Sequence, residues 1–293
     1  MVSGAPPPRR PDAGPVLDTP AGPLVLDPPV VVGVLNATPD SFWAGSRHPD
    51  PAAAADVARA MVAGGARMLD VGAESTRQGA TPVDAAEERR RLLPVLRAVR
   101  AAVRVPLSVD TTKAAVAAAA LDEGADAVND VSAGRFDPAL LPLCARRGVP
   151  VVLMHMKGVP ATMAHEPRST DVVGEVTAFL AERAAAAEAA GVARDAIVLD
   201  PGIGFGKQAD ESLLLLRHLD ACVALGYPVL VGPSRKSFMR AVLGERDAGG
   251  RLFGTAAAVA LAVAAGARLV RVHDAAAMAD VVAVAHAIAR AGT

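Results

Sequence analysis

From Leu24 onward the chain repeats one unit: a short β-branched run, a polar or glycine-rich turn, then an alanine-rich helical stretch. The runs that read as strands are Val30–Leu35, Met68–Val71, Pro106–Val109, Ala127–Asn129, Val149–Met154, Ala196–Leu199, Val229–Val231 and Leu269–Val272. Helical stretches lie between them, among them Ala52–Ala63, Ala85–Ala101, Lys113–Glu123, Val172–Ala190, Asp210–Leu225 and Thr255–Ala265. Several of these stop at a glycine just ahead of the next strand (Gly64-Gly65, Gly124, Gly148, Gly191, Gly266), where a left-handed residue closes a helix end. A strand that is apolar along its whole length must be covered on both faces, and a helix after each strand supplies the cover. Eight such units with no break in composition specify a closed (β/α)8 TIM barrel, α/β in class and a single domain, rather than an open doubly wound sheet. An open dinucleotide-binding sheet would need GxGxxG after its first strand, and VVVGVLNATPDSF has none. The Pro/Gly-rich stretch 1–22 reads as a disordered lead-in to a barrel spanning 23–293, with Leu17–Pro28 forming a small hairpin across the barrel bottom.

Composition removes several function classes. Thirty basic residues against 31 acidic ones leave a net charge of -1, which gives no general attraction to nucleic acid or to an anionic membrane. Any anion must therefore be held by a local site. No apolar run reaches the roughly 18 to 20 residues of a membrane span, and the N-terminal arginines are not followed by the apolar core of a secretory signal. A cytoplasmic enzyme is expected. Cys144 and Cys222 have no CxxC or nearby ligand pair and read as small buried hydrophobes in a reducing compartment. His155, His165 and His218 lack partners at metal-ligand spacing, so zinc is not expected. GIGFGK (202–207) lacks the GxxxxGK[ST] spacing of a phosphate loop, and its glycines read as a tight turn that allows close ligand approach.

Position then points to a site. Almost every unusual polar residue stands at or just past the C-terminal end of a predicted strand: Asn36; Thr76 and Arg77; Asp110; Asn129 and Asp130; His155; Asp200 and Lys207; Ser234 to Ser237; Arg271, His273 and Asp274. In a barrel these ends converge on one mouth, where the catalytic groups of the fold sit. Taken singly, Asp130, Asp274, Ser75 and Thr112 read as helix caps or turn residues. Capping does not explain why Lys, Arg, His and Asn converge as well, because burying such groups is costly unless they bind something. The set divides in two. Arg77, Arg271, His273 and Asn36 come from strands that become neighbours on closure, and their guanidinium forks suit a phosphate or diphosphate, with the Asn36 amide oxygen available to Mg2+. Asp110, Asn129, Asp200 and Lys236 face the barrel centre and suit a flat heterocycle with amidine-like nitrogens, for which Met154 and Phe205 would be apolar walls.

The blocks LNATPDSF (35–42), DVGAESTRQGA (70–80), SVDTTK (108–113), VNDVS (128–132), LMHMKG (153–158), LDPGIGFGK (199–207), GPSRKSF (232–238) and RVHD (271–274) together resemble the dihydropteroate synthases of folate biosynthesis, in order and from about Leu26 to the C-terminus. The resemblance implies a transferase, a sulfonamide target, that condenses 6-hydroxymethyl-7,8-dihydropterin diphosphate with p-aminobenzoate. Carried over position by position, it assigns the pterin to Asp110, Asn129, Met154, Asp200, Phe205, Gly232, Lys236 and Arg271. It assigns the diphosphate to Asn36, Thr76, Arg77, Arg271 and His273, with Mg2+ at Asn36, and the p-aminobenzoate side to Phe42, Gln78, Lys236 and Ser237. Asn36, Arg77, Lys236, Arg271 and His273 would carry the catalysis, by a dissociative route without a protein nucleophile. A homodimer with small-molecule substrates and no nucleic-acid or membrane partner is also implied.

Two departures fall in loops that the family folds over its second substrate. The usual Ser-Asp-Gly-Gly reads Trp43-Ala44-Gly45-Ser46, and the usual STRPG reads Ser75-Thr76-Arg77-Gln78-Gly79; Ala73 stands where glycine is typical. Losing one loop carboxylate and freeing the backbone at Gln78 is expected to alter sulfonamide sensitivity or turnover, or to mark a relative that uses a different amine. A corrinoid methyltransferase would not need the Arg77/Arg271/His273 cluster, and a non-catalytic pterin binder would not need to retain Asn36, Arg77, Lys236 and His273.

Overall fold

The computed structural model describes residues 14–37 and 50–292. Two short antiparallel strands come first, β1 (Val16–Thr19) and β2 (Gly22–Val25). Eight parallel strands follow: β3 (Val30–Asn36), β4 (Met68–Gly72), β5 (Leu107–Asp110), β6 (Ala127–Asp130), β7 (Val151–Met154), β8 (Ile197–Asp200), β9 (Leu230–Val231) and β10 (Leu269–Val272). They lie side by side in the order β8-β7-β6-β5-β4-β3-β10-β9, and a parallel bridge between Leu199 and Val229 joins the two ends of that order into a ring. Each strand matches a predicted one to within two residues. The barrel expected from the repeat is present.

Helices alternate with these strands: α1 (Pro51–Ala63), α2 (Ala85–Ala102), α3 (Ala114–Asp122), α4 (Leu140–Arg147), α5 (Val172–Ala189), α6 (Ala209–Arg217), α7 (Leu219–Val223), α8 (Arg240–Leu243), α9 (Leu252–Ala264) and α10 (Ala275–Ala289). Their starts are chemically marked. Asp50, Asp84 and Asp171 each accept a hydrogen bond from a backbone N–H of the first turn of α1, α2 and α5. The single helix expected over Asp210–Leu225 is two helices. His218 leaves the helical basin (φ -109°, ψ 36°), and beyond it Leu219 and Cys222 are buried.

The hairpin expected over 17–28 occupies Val16–Val25, so β1 lies inside the stretch 1–22 that composition marks as lead-in. The reason is packing. Leu17, Leu24 and Leu26 are buried in one cluster with Val30, Val32, Met68, Ala127, Val152, Val198, Leu230 and Leu269. Those eight are the inward residues at the lower ends of barrel strands, so the hairpin forms the floor. The outward residues of the same strands, such as Val31, Leu69, Val71, Leu107 and Val109, pack in a separate cluster with the helices. Both cysteines are buried free thiols, and burial pushes each up to about 12, as expected of inert core residues. Among the described residues no helix is long and apolar enough to cross a membrane.

Candidate active site

Side chains alternate along a strand, so the residue two places above an inward one also points inward. Two places above the apolar floor stand Asp70 (from Met68), Asn129 (from Ala127), Met154 (from Val152), Asp200 (from Val198), Gly232 (from Leu230) and Arg271 (from Leu269). One period separates a dry floor from a polar ceiling. Sequence reading placed all of these at the mouth except Asp70.

Asp70 organises the centre of the ring. It is 1% exposed and accepts hydrogen bonds from Ser108 Oγ (2.5 Å), Asn129 Nδ2 (3.0 Å) and Arg271 Nε (2.6 Å). Arg271 spends its other arm on Asp110 Oδ2 (2.9 Å). A guanidinium held by two carboxylates has a fixed plane, which makes it a surface for a flat ring as well as a phosphate donor. The other oxygen of Asp110, Oδ1, is buried with no hydrogen-bond partner. Buried polar atoms are ordinarily paired, so this one is available to a ligand donor. Burial pushes Asp110 up to about 7 and the Asp70 carboxylate adds to the rise, while Arg271 pulls the other way. The signal for Asp70 was visible in MLDVG as the one charged residue in an apolar strand.

Across the ring, Asp200 Oδ1 accepts from Gly202 N (2.7 Å), and burial raises its pKa against the pull of Lys236. Lys236 Nζ donates to the Ile203 carbonyl and lies 4.0 Å from the centroid of the Phe205 ring, a cation–π contact. Burial pushes its ammonium down to about 7. Phe205 packs on Met154, Met156, Met163 and Val131, so Met154 and Phe205 belong to one apolar cluster. The GIGFGK loop is pinned by Lys207, a residue that sequence reading placed at the mouth without giving it a role. Its Nζ donates to the carbonyls of His155 (3.2 Å), Gly202 (2.9 Å) and Phe205 (3.2 Å) and joins the loops after β7 and β8. Gly202, at φ +65°, is required here: a Cβ would stand 1.9 Å from the His155 carbonyl oxygen.

The anion half is looser. Asn36 is half-buried at the end of β3, in register with Gly72 of β4. Thr76 is half-buried, whereas Arg77 and Gln78 are exposed on the loop after β4, and Ser237 is exposed after β9. Phe42, with Trp43 and Ala44, lies outside the described residues. His273 Nδ1 meets Ser234 Oγ at 2.9 Å, and the His273 backbone N–H donates to the same oxygen (3.2 Å). Ser234 Oγ thus ties both the ring and the backbone of His273 and fixes the imidazole at the end of β10. The cap readings divide. Asp130 does organise its own turn, accepting from Ser132 N (2.8 Å) and Gly134 N (2.5 Å), but Asp274 makes no cap bond and pairs with Arg235 (2.5 Å).

Burial, followed by the charges of Arg271 and Arg235, pushes His273 down to about 4, below the ordinary value of 6.5. The folded protein therefore resists the proton that the unfolded chain accepts. The contribution of His273 is complete above pH 6.5 and is lost as pH falls through about 4. The stability advantage of the wild type over His273→Gln should shrink between pH 7 and pH 4.5 in urea unfolding. A pH-independent difference would contradict a neutral, buried imidazole.

The family model described as pterin binding enzyme matches residues 32–273. A dihydropteroate synthase from Synechocystis is 44% identical over 260 residues, 89% of this chain and 90% of that protein. Among solved structures, Xanthomonas albilineans dihydropteroate synthase with 4-aminobenzoic acid superposes with a TM-score of 0.88 at 44% identity, covering 94% of this chain and 99% of that one. The enzyme from the same organism has also been solved in complex with 7,8-dihydropteroate, with a TM-score of 0.85 at 42% identity over 94% of this chain and 99% of that one. Yersinia pestis dihydropteroate synthase with a sulfonamide drug complex matches with a TM-score of 0.88 at 37% identity, over 93% of this chain and 98% of that one.

Proposed function

Because the chain belongs to the pterin-binding enzymes, and among them to the dihydropteroate synthases, we propose that it joins 6-hydroxymethyl-7,8-dihydropterin diphosphate to p-aminobenzoate, giving 7,8-dihydropteroate and diphosphate. The observation that carries this reading is the ring of inward polar residues one period above the apolar floor, with the unpartnered Asp110 Oδ1 in it. A dihydropterin presents N–H donors and carbonyl and imine acceptors around a flat ring, and the ring of Asp110, Asn129, Asp200 and Lys236 complements them. Arg271 stacks on that ring, Met154 and Phe205 line its edge, and Gly232 leaves room for it.

The methylene carbon–oxygen bond breaks as diphosphate departs, and its electron pair leaves with the oxygen. Arg77, Arg271 and His273 hold the negative charge that develops there, with Thr76 and Asn36 beside them. The electron-rich pterin stabilises the methylene cation, the aryl amine nitrogen attacks it, and the amine proton is lost to solvent. No protein nucleophile enters. Magnesium is the implied cofactor, and when bound it neutralises diphosphate oxygens. Among the described residues no group of three His, Cys, Asp or Glu forms a metal cage. Asn36 would be the ion's protein ligand through the amide oxygen, with diphosphate and water completing the shell, the usual habit of Mg2+. Phe42, Gln78, Lys236 and Ser237 make the acceptor side. A sulfonamide, which carries the same aryl amine, would compete there. The 4-aminobenzoic acid in the Xanthomonas relative supports this acceptor, and no observation favours another.

The test is a purified-enzyme assay with both substrates. Dihydropteroate forming in step with diphosphate is the expected result, and diphosphate release without dihydropteroate would overturn the acceptor. A homodimer is also proposed. Phe253, Ala257 and Leu261 form an exposed stripe on α9, with Val284 and Ile288 exposed on α10, and Phe253 is 86% exposed. An apolar face of this kind suits a second copy of the chain. Sedimentation should show a dimer that Leu261→Asp shifts toward monomer. A monomeric wild type at micromolar concentration would exclude it. The buried free thiols support a cytoplasmic setting.

A further inference from the structure

The loop between β4 and α2 carries Thr76, Arg77 and Gln78, and its tip is exposed from Arg77 to Gly79. Its base is not. Glu74 Oε1 accepts from Val83 N (2.9 Å) and ties the two ends of the loop together. Its other oxygen accepts from Lys113 Nζ (2.7 Å), and the same ammonium donates to Glu88 Oε2 (2.6 Å). Glu88 is fully buried in the first turn of α2, and its second oxygen has no hydrogen-bond partner. Lys113 stands at the N-cap of α3, three residues past Asp110, which holds Arg271. One lysine therefore joins the loop, the helix that follows it and the strand end of the pterin pocket.

The charges make these three groups interdependent. A buried carboxylate such as Glu88 is costly unless paired, and Lys113 is its cation. The same cation fixes Glu74, whose side chain is 15% exposed, and Glu74 closes the loop. The charges of Glu74 and Lys113 are thus spent within this clasp.

We propose that Glu74, Lys113 and Glu88 are positioning residues that set how far the Thr76–Gln78 tip reaches over the mouth, where Arg77 meets the diphosphate and Gln78 the aryl amine. The proposal rests on the synthase reading above. It distinguishes the two halves of the site, because the hydrogen bonds of the clasp tie the loop to α2 and α3 and none of them goes to Asp110, Asn129 or Asp200.

Glu74→Gln tests it with little change of shape. Its carbonyl oxygen can still accept from Val83, but its amide N–H now faces the Lys113 ammonium. The KM for p-aminobenzoate should rise on the order of 10-fold, in line with the cost of small misplacements at a reacting centre. Affinity for a pterin analogue without diphosphate, measured by calorimetry, should stay at the wild-type value. Trypsin should also cut after Arg77 several-fold faster than in the wild type, relative to cleavage at exposed Arg246 in the same chain. Lys113→Met should move both readouts the same way, and Lys113→Arg should restore them in part. Wild-type KM and wild-type Arg77 cleavage in Glu74→Gln would overturn the proposal, even if its melting temperature fell. Should the wild type itself form no dihydropteroate, the synthase reading fails, while the trypsin ratio still decides the clasp.

Discussion

Replacing Asp70 with leucine should cost the protein both stability and its pterin pocket. The carboxylate is 1% exposed and accepts from Ser108, Asn129 and Arg271 at once. Leucine has the same branching and a larger volume, so no cavity opens, and the loss is chiefly electrostatic with an added cost for crowding. Removing one partner of a buried ion pair costs about 3 to 5 kcal/mol, because the surviving charge is left uncompensated. Arg271 keeps Asp110 at 2.9 Å and its side chain is 22% exposed, which places the expected loss at the low end, about 3 kcal/mol. The guanidinium would then rotate toward its one remaining partner, and the plane offered to the pterin would be lost. Urea unfolding and calorimetry with a pterin ligand measure the two effects. Ser108→Ala removes one hydrogen bond to the Asp70 carboxylate and should cost less, about 1.5 to 2 kcal/mol. An Asp70→Leu protein within about 1 kcal/mol of wild type that still bound pterin normally would show that Arg271 is oriented by something else.

How much of this was legible in the sequence depends on the range of the interaction involved. The strands were, because an apolar β-branched run between a glycine-capped helix and a polar turn is a local pattern, and every barrel strand starts or ends within two residues of its expected place. The mouth residues were legible for the same reason, standing at strand ends where the fold collects them. Asp70 was not picked out, because its role depends on the register of four strands: β4 carries it, and its partners Ser108, Asn129 and Arg271 come from β5, β6 and β10. Lys207 was placed at the mouth but given no role, because its partners are backbone carbonyls, which have no signature in side-chain spacing. The break at His218 was hidden by the run Leu213–Leu216, which continues a helical pattern straight through it. On the acceptor side the sequence identified departures at Trp43, Ala44 and Gln78. Of these only Gln78 falls among the described residues, at an exposed loop tip.

The two carboxylates Asp70 and Asp200 occupy equivalent heights in the barrel, yet the network divides their duties. Three protein side chains converge on Asp70, whereas the protein hydrogen bond to Asp200 comes from the Gly202 backbone N–H at 2.7 Å. Asp70 is thus spent on structure, and Asp200 keeps acceptor capacity for a ligand. Burial and Lys236 act on it in opposite directions, which is the environment of a carboxylate held ready for a positively polarised N–H edge.

Asp200→Asn should therefore separate binding from stability. Asparagine has the same shape, and its Oδ1 can still accept from Gly202, so the melting temperature should move far less than in Asp70→Leu. The amide N–H2 would face the N–H groups of the pterin, replacing attraction by a donor–donor clash. Hydrogen bonds to a charged group contribute about 1.5 to 3 kcal/mol each, so losing two at one ring edge amounts to about 3 to 6 kcal/mol. At about 1.4 kcal/mol per factor of ten, kcat/KM for the pterin diphosphate should fall by about 10²- to 10⁴-fold. The KM for p-aminobenzoate, measured at saturating pterin diphosphate, should hold, since the acceptor side lies with Gln78, Lys236 and Ser237. A fall of less than about 10-fold, from steady-state kinetics on a variant of unchanged melting temperature, would mean that the pterin edge is read by another group. Asp110, with its buried unpaired Oδ1, would be the first residue to replace next.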